Sequence, residues 1–306
     1  MRPYSDPEGI IGQRAGKDRQ TESTFPPRHN PFIDSGDAAY SDDNNQKSEV
    51  GTLKVGLIGF GRTGKSVASV LLNSSDTTLE WVIRGSATPG HRSAAECLGV
   101  ESNNPATLFG RDELRIDELL ERQPVDLIID FSSSDGIELY AEEAGRRGIA
   151  IISAISHYPE ERIAQLQALG QHTRILWSPN ITLGINFLIL AAKILKQIAP
   201  DADIEIIEEH FASKPETSGT AKVIAESLDK CSDDIKSIRA GGIVGRHEIL
   251  FGFPYQTVRL SHESIAREAF GNGVLFAARN LLQREAGFYS MQDLLEPYFY
   301  DKAASG

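Results

Sequence analysis

Gly59-Phe60-Gly61-Arg62-Thr63-Gly64-Lys65-Ser66, GFGRTGKS, satisfies two motifs that belong to different folds. As G-x-G-x-x-G it is a turn that holds the pyrophosphate of a dinucleotide; as G-x-x-x-x-G-K-S it is a loop that cradles a nucleoside triphosphate. Both use backbone N–H groups and the dipole at a helix N-terminus to hold an anion. LKVGLIGF before it reads as a short buried strand, and SVASVLLNS after it is amphipathic at helical spacing. The glycines therefore sit between a strand and a helix. A triphosphate site also needs an acid at the end of a buried strand to order Mg²⁺, and Leu127-Ile128-Ile129-Asp130 offers one. A dinucleotide site needs a selecting residue at the end of the second strand, where an arginine accommodates the 2′-phosphate of NADP. Arg84 ends TLEWVIRG, and Arg62 inside the turn is a second phosphate candidate. On these residues alone both readings stand.

Working outward, strands and helices alternate. IDELLERQ reads as a helix, VDLIIDFSS as a buried strand, and DGIELYAEEAGRRG as a helix closed by Gly148. IAIISAIS is a strand, PEERIAQLQALGQ a helix between Pro159 and Gly170, and TRILWSPN a further strand. Such alternation over about 130 residues predicts a Rossmann-type, doubly wound parallel sheet in an α/β fold. Residues 86–118 give only loop signals, Pro89-Gly90 and Asn103-Asn104-Pro105, around a short apolar piece. From Thr182 the pattern changes. GINFLILAAKILKQIA is a long helix, DIEIIEEH an alternating strand and SGTAKVIAESLDK a helix. IKSIRAG, GRHEILFGF and QTVRLSHES then read as strands of a mixed or antiparallel sheet. GVLFAARNLLQREAG is a last helix, trailed by MQDLLEPYF. The expected organisation is a disordered tail (1–52), a dinucleotide-binding domain (53–181, completed by 271–306) and an α+β substrate-binding and oligomerisation domain (182–270).

Composition removes several function classes. The formal net charge of -12 opposes binding to nucleic acid or to an anionic membrane. No apolar run reaches the roughly 18 residues of a membrane span. Cys97 and Cys231 are the only cysteines, which fits a reducing, cytoplasmic setting without a disulfide framework. The N-terminus lacks the apolar segment of a signal peptide, and Asp6, Glu8, Asp18 and Glu22 do not suit a transit peptide. No metal is expected: His29, His91, His157, His172, His247 and His262 show no ligand spacing.

Chemistry concentrates in Glu208–Ala221, EEHFASKPETSGTA. His210 and Lys214 follow a strand, and Ser218-Gly219-Thr220 opens a helix. A histidine near neutrality can donate a proton, and a lysine beside a helix N-terminus can clamp a carboxylate. Together they describe an anion site containing an acid.

The block D-I-E-I-I-E-x-H-x-x-x-K followed by S-G-T-A resembles the dihydrodipicolinate reductases, also called 4-hydroxy-tetrahydrodipicolinate reductases. So do K-V-G-L-I-G-F-G, the D-F-S at Asp130, S-P-N-I-T-L-G-I-N at Ser178–Asn186, R-A-G-G-I-V-G-R-H at Arg239–His247 and F-G-N-G at Phe270–Gly273. The resemblance runs from about Leu53 to about Leu295 and decides for the dinucleotide reading. It implies hydride transfer from NADH or NADPH to a cyclic imine dicarboxylate in lysine and diaminopimelate biosynthesis. It implies His210 as proton donor, with Lys214 as its cationic partner on a substrate carboxylate. Gly219, Thr220 and Arg267 would bind the same dicarboxylate. Gly59, Gly61, Arg62 and Gly64 would hold the pyrophosphate. Arg84 would select NADPH, with NADH possible as well. Phe131, Ser132, Asn180 and Ile181 would line the cofactor. The family resemblance also implies a homo-tetramer formed through the second sheet.

The sequence departs from that pattern in three places. A second histidine is replaced by Phe211, and two nearby basic positions are Ala212 and Ser213. Pro215-Glu216-Thr217 makes a shorter loop than the family's. Ser153-Ala154-Ile155-Ser156 stands where the family has a glycine-threonine loop against the nicotinamide. The alternatives are thus a paralogue reducing another cyclic imine, or a non-catalytic member serving assembly or regulation. Trp81 and Trp177 are candidate reporters of nucleotide binding.

Overall fold

A computed structural model of the chain describes residues 52–86, 92–113 and 115–300. Most of the segment expected to be a disordered tail, 1–51, lies outside the described residues, as do His29 and His91.

The first part alternates as β1 (Leu53–Ile58), α1 (Arg62–Leu72), β2 (Thr77–Arg84), α2 (Ala94–Leu98) and β3 (Thr107–Gly110). It continues with α3 (Ile116–Arg122), β4 (Leu127–Asp130), α4 (Ala141–Arg147), β5 (Ala150–Ser153), α5 (Glu160–Leu169) and β6 (Arg174–Trp177). Then come α6 (Leu183–Ile198), β7 (Asp203–His210), α7 (Gly219–Ser227), β8 (Lys236–Arg239), β9 (Arg246–Phe253) and β10 (Gln256–Glu263). The chain ends with α8 (Glu268–Leu281), β11 (Gly287–Tyr289), α9 (Met291–Leu295) and α10 (Pro297–Tyr300).

The large sheet has seven strands in the order β11-β6-β5-β4-β1-β2-β3, every pairing parallel. This is the Rossmann-type arrangement expected. The order reverses between β1 and β4, which opens a crevice at their carboxyl ends. Both faces are covered, which explains the nearly unbroken apolar runs of the central strands. Leu127 and Ile129 of β4 pack with Val67, Leu71, Val274 and Leu281 on one side. Ile128 turns the other way, to Leu120, Ala144 and Leu166.

Two elements of this sheet escaped the sequence reading. Residues 107–110 form the edge strand β3, beside β2. Residues 287–289 form β11, beside β6, so the last predicted helix stops at Leu281 rather than running on to Gly287. Both are short edge strands without the buried apolar run that marks the equally short central strands β4 and β5.

The smaller sheet has the order β10-β9-β7-β8. β9 is antiparallel to both β7 and β10, while β7 and β8 are parallel, so the sheet is mixed as expected. Ile204, Ile206, Ile249 and Phe251 form its core with Ile185, Leu188 and Ile189 of α6 and Ile224 and Ala225 of α7.

Candidate active site

The turn after β1 is shaped for close approach. Gly59 has φ of +95°, and a Cβ there would come within 2.5 Å of the Phe131 carbonyl. A Cβ on Gly64 would lie 2.0 Å from the Gly59 carbonyl oxygen. At Gly61 the same position is open space. Gly61 caps α1 without a side-chain hydrogen bond, so the cap residue itself leaves the first-turn N–H groups uncovered.

A cleft of about 400 Å³ lies beside this turn. Its walls include Thr63 of α1, Phe131 and Ser132 after β4, Ile155 and His157 after β5, and Ile181 after β6. It therefore sits at the carboxyl ends of the central strands. Of the expected cofactor residues, Phe131, Ser132 and Ile181 line it directly, and Asn180 is flanked by lining residues. Arg84 ends β2 and Arg62 opens α1; neither forms an ion pair among the described residues.

Asp130 tells against the competing triphosphate reading. Its side chain is fully buried. Oδ1 accepts from Ser132 N at 2.8 Å and Ser132 Oγ at 2.6 Å, and Oδ2 accepts from the Tyr140 hydroxyl at 2.9 Å. Burial pushes its pKa up, against these donors. Both oxygens are spent inside the fold, so Asp130 shapes the cleft floor rather than ordering Mg²⁺.

The second constellation is at the end of β7. Residues alternate across a strand, so Glu208 and His210 share a face. His210 Nδ1 is 2.5 Å from Glu208 Oε2. Glu208 is fully buried and surrounded by donors. Arg239 Nη2 and Nη1 reach it at 2.6 and 3.0 Å, Ser237 Oγ at 2.6 Å and Ser218 N at 3.3 Å. Burial works to raise its pKa; the Arg239, Ser237, His210 and Ser218 hydrogen bonds outweigh that and hold it down at about 2. Glu208 is therefore a carboxylate at neutral pH and can only accept.

His247, across the sheet from Glu208, sets its ring edge-on to His210 with centroids 5.4 Å apart. Burial, reinforced by the charge of His210, brings its pKa down to about 4. Its Nε2 shares a 2.9 Å hydrogen bond with Ser218 Oγ, which also accepts from Ala221 N and caps α7. Lys214 is half-buried in the loop, and Gly219 and Thr220 form the first turn of α7. Thr220 Oγ1 accepts from Asn180 Nδ2 at 3.1 Å. That bond joins the cleft wall to the His210–Thr220 loop. Arg267 precedes α8, and its carbonyl accepts from Phe270 N at 3.0 Å; Phe270 lines the cleft. Lys214 and Arg267 make no ion pair among the described residues, whereas Arg239 and Arg246 are paired with glutamates.

Ser218 was read from sequence as part of the helix start, but Glu208, Arg239, Ser237 and His247 were given no role in the site. Glu208 was findable, because its spacing of two from His210 on a strand is a local signal. Arg239 and His247 come from other strands; they bound a stretch of the family resemblance but carry no local sign of their place beside Glu208.

Two family descriptions match adjoining parts of the chain: "Dihydrodipicolinate reductase, N-terminus" over residues 53–181 and "Dihydrodipicolinate reductase, C-terminus" over residues 181–295. The chain belongs to the dihydrodipicolinate reductase family. A 4-hydroxy-tetrahydrodipicolinate reductase from Caldanaerobacter subterraneus subsp. tengcongensis is 31% identical over 197 residues, 57% of this chain and 78% of that one. One from Myxococcus xanthus is 28% identical over 263 residues, covering 77% of this chain and 94% of that one. Among solved structures, a dipicolinate-bound dihydrodipicolinate reductase from Paenisporosarcina sp. TG-14 has a TM-score of 0.65. That pair is 18% identical and covers 78% of this chain and 97% of that one, a likeness of fold. As a member of this family the chain is an NAD(P)H-dependent oxidoreductase. No helix among the described residues is long and apolar enough to cross a membrane.

Proposed function

We propose that the chain reduces the cyclic imine dicarboxylate of lysine and diaminopimelate biosynthesis, 4-hydroxy-tetrahydrodipicolinate or dihydrodipicolinate, to tetrahydrodipicolinate, with His210 as the proton donor. The family and its reductase relatives support the reaction. The observation that carries the site assignment is a single loop, 210–220, which holds a histidine on a buried carboxylate, a lysine with no ion pair among the described residues and a helix start, and which is tied to the dinucleotide cleft by Asn180.

The dinucleotide fits the turn: the glycines at 59 and 64 permit the tight approach, and Gly61 leaves room over bare N–H groups. When bound, it supplies the hydride. Gly59, Gly61, Arg62 and Gly64 hold its phosphates, and Phe131, Ser132, Asn180 and Ile181 shape its cleft. Arg84 favours NADPH over NADH through the 2′-phosphate. Lys214 and Arg267, with the N–H of Gly219 and the hydroxyl of Thr220, hold the two carboxylates of the substrate. His210 then delivers a proton to the electron-rich atom that reduction leaves. Imine reduction asks little more than orientation, positive charge and an acid.

In this reading residues 53–181 and 271–306 carry the cofactor and 182–270 the substrate. The second sheet also builds a homo-tetramer, consistent with Ile238 at 45% exposure and Val244 at 48%. One observation favours a second reading. Phe211, next to His210, is 42% exposed, and Ala212 and Ser213 beside it are exposed and uncharged. A less anionic cyclic imine would suit that rim.

Calorimetric titration with dipicolinate, a planar dicarboxylate, in the presence of NADPH tests the anion site. The reading predicts saturable binding that weakens on the order of tenfold or more in Lys214→Ala, as for loss of a charged hydrogen bond. Equal binding by both proteins would remove Lys214 from the site.

A further inference from the structure

We infer that Glu208, held by Arg239, is a positioning residue that fixes the His210 proton on Nδ1 and so makes Nε2 the atom that gives a proton to substrate. The inference rests on the reading of His210 as the acid.

The geometry allows one tautomer. Glu208 Oε2 lies 2.5 Å from His210 Nδ1 and can only accept, so Nδ1 carries hydrogen in both charge states of the ring. Glu208 cannot turn away. Its Oε1 is engaged by Arg239 Nη2, Ser237 Oγ and Ser218 N, and Arg239 Nη1 also bonds Oε2. Arg239 is fixed in turn, its Nε donating to the Lys214 carbonyl at 3.1 Å and its Nη2 to the Glu216 carbonyl at 2.9 Å. The carboxylate that orients the acid is thus braced by the same guanidinium that shapes the lysine loop.

The other ring nitrogen is kept open. A Cβ on Gly245 would lie 3.0 Å from His210 Nε2, so glycine there spares the atom a crowding neighbour. In the transfer the Nε2–H bond breaks, its electron pair stays on nitrogen, and a neutral Nδ1–H imidazole remains against Glu208. The proton bonds to the electron-rich atom that reduction leaves on the substrate, and solvent reprotonates Nε2 afterwards.

The charges facing His210 come from every neighbouring element. Glu208 on β7 favours the imidazolium. Arg239 on β8 and Lys214 in the loop oppose it. His247 on β9 is neutral, and His262, opposite it on β10, has its pKa pushed down by burial. Removing Glu208 and removing Arg239 should therefore move the His210 titration in opposite directions, which a purely structural role would not do.

The test is long-range ¹H–¹⁵N NMR of histidine-labelled protein, with the His210 signals assigned by their loss in His210→Gln, alongside the pH dependence of kcat. Wild-type protein should show hydrogen on Nδ1, with Nε2 titrating. In Glu208→Gln the protonation midpoint should fall by about one unit or more, as for loss of an adjacent opposite charge. The high-pH fall of kcat should move down with it, while cofactor affinity stays unchanged. In Arg239→Gln, which keeps Ser237 and Ser218 on the carboxylate, the midpoint should rise instead; this variant carries the test if Glu208→Gln does not fold. Hydrogen on Nε2 in neutral wild-type protein, or a midpoint unmoved in the variants, would overturn the inference. If tautomer and midpoints behave as stated but His210→Gln keeps its turnover, the positioning stands and the assignment of His210 as the acid falls.

Discussion

Asn180 donates to the Thr220 hydroxyl at 3.1 Å, joining the loop after the sixth strand of the large sheet to the first turn of the helix after His210. Asn180 is itself pinned. Its Oδ1 accepts from Thr182 N and Oγ1 at 3.0 and 2.8 Å, and its carbonyl accepts from Ser178 Oγ and Asn186 Nδ2, both at 2.7 Å. This short network fixes the cleft wall against the loop of residues 210–220. Asn180→Ala should lower kcat/KM about fivefold, since one net hydrogen bond is worth about 1 kcal/mol, and should weaken binary NADPH binding by less than that. Steady-state kinetics with a separate NADPH titration checks this; a matching loss of NADPH affinity would place Asn180 chiefly on the cofactor.

His210→Gln keeps a polar group but no acid at neutral pH. Turnover should fall on the order of 10²-fold or more, the usual contribution of a positioned acid, with NADPH affinity unchanged. Unaltered turnover would remove His210 from that role.

Arg84 stands at the end of the second strand without an ion pair among the described residues. Arg84→Ala should weaken NADPH more than NADH, because only NADPH offers the 2′-phosphate. Equal weakening of both, measured by titration, would contradict the assigned contact.

Acidification should destabilise the second sheet in two stages. His247 has its pKa pushed from 6.5 to about 4, so the folded form binds its proton less readily than the unfolded form does. Stability therefore falls as pH drops from 6.5 towards 4. Glu208 has its pKa held down at about 2 against an ordinary 4.5, so its contribution is present above 4.5 and is lost as pH falls towards 2. Melting temperature against pH should show both declines, and His247→Gln should lose the first. A melting temperature flat between pH 7 and 4 would contradict the burial of a neutral His247.

Of the two tryptophans, only one is placed to report the cofactor. Trp81 is fully buried, with its indole N–H on the Gln123 carbonyl at 3.1 Å. Trp177 donates to the carbonyl of Ile155, a residue lining the cleft, at 2.9 Å, and its ring lies 5.8 Å from that of Tyr158. NADPH should quench the fluorescence of wild-type protein, and Trp177→Phe should abolish most of that change. A full response retained in Trp177→Phe would move the cofactor away from Ile155.

The legible parts of the fold are those with a strong local period. Strand–turn–helix at 53–74 and the alternation of DIEIIEEH needed no tertiary context. β3 and β11 were missed because these short edge strands lack the buried apolar run that marks the equally short β4 and β5. The site divides in the same way. His210, Lys214 and the α7 start were legible because they share one loop. The brace around Glu208 was not, because Arg239 reaches it from 31 residues away and His247 from a third strand. The eight residues of GFGRTGKS could not settle the triphosphate reading; the motifs shared with the family decided it, and the buried, fully engaged Asp130 agrees.

The central claim is the reaction itself. Its most direct test is loss of reduced-nicotinamide absorbance when the protein is given NADPH, or NADH in parallel, with freshly generated 4-hydroxy-tetrahydrodipicolinate. The account predicts rapid oxidation that requires substrate and is faster with NADPH. No oxidation with either cofactor, while Trp177 fluorescence still reports NADPH binding, would contradict it and leave a reductase acting on another cyclic imine.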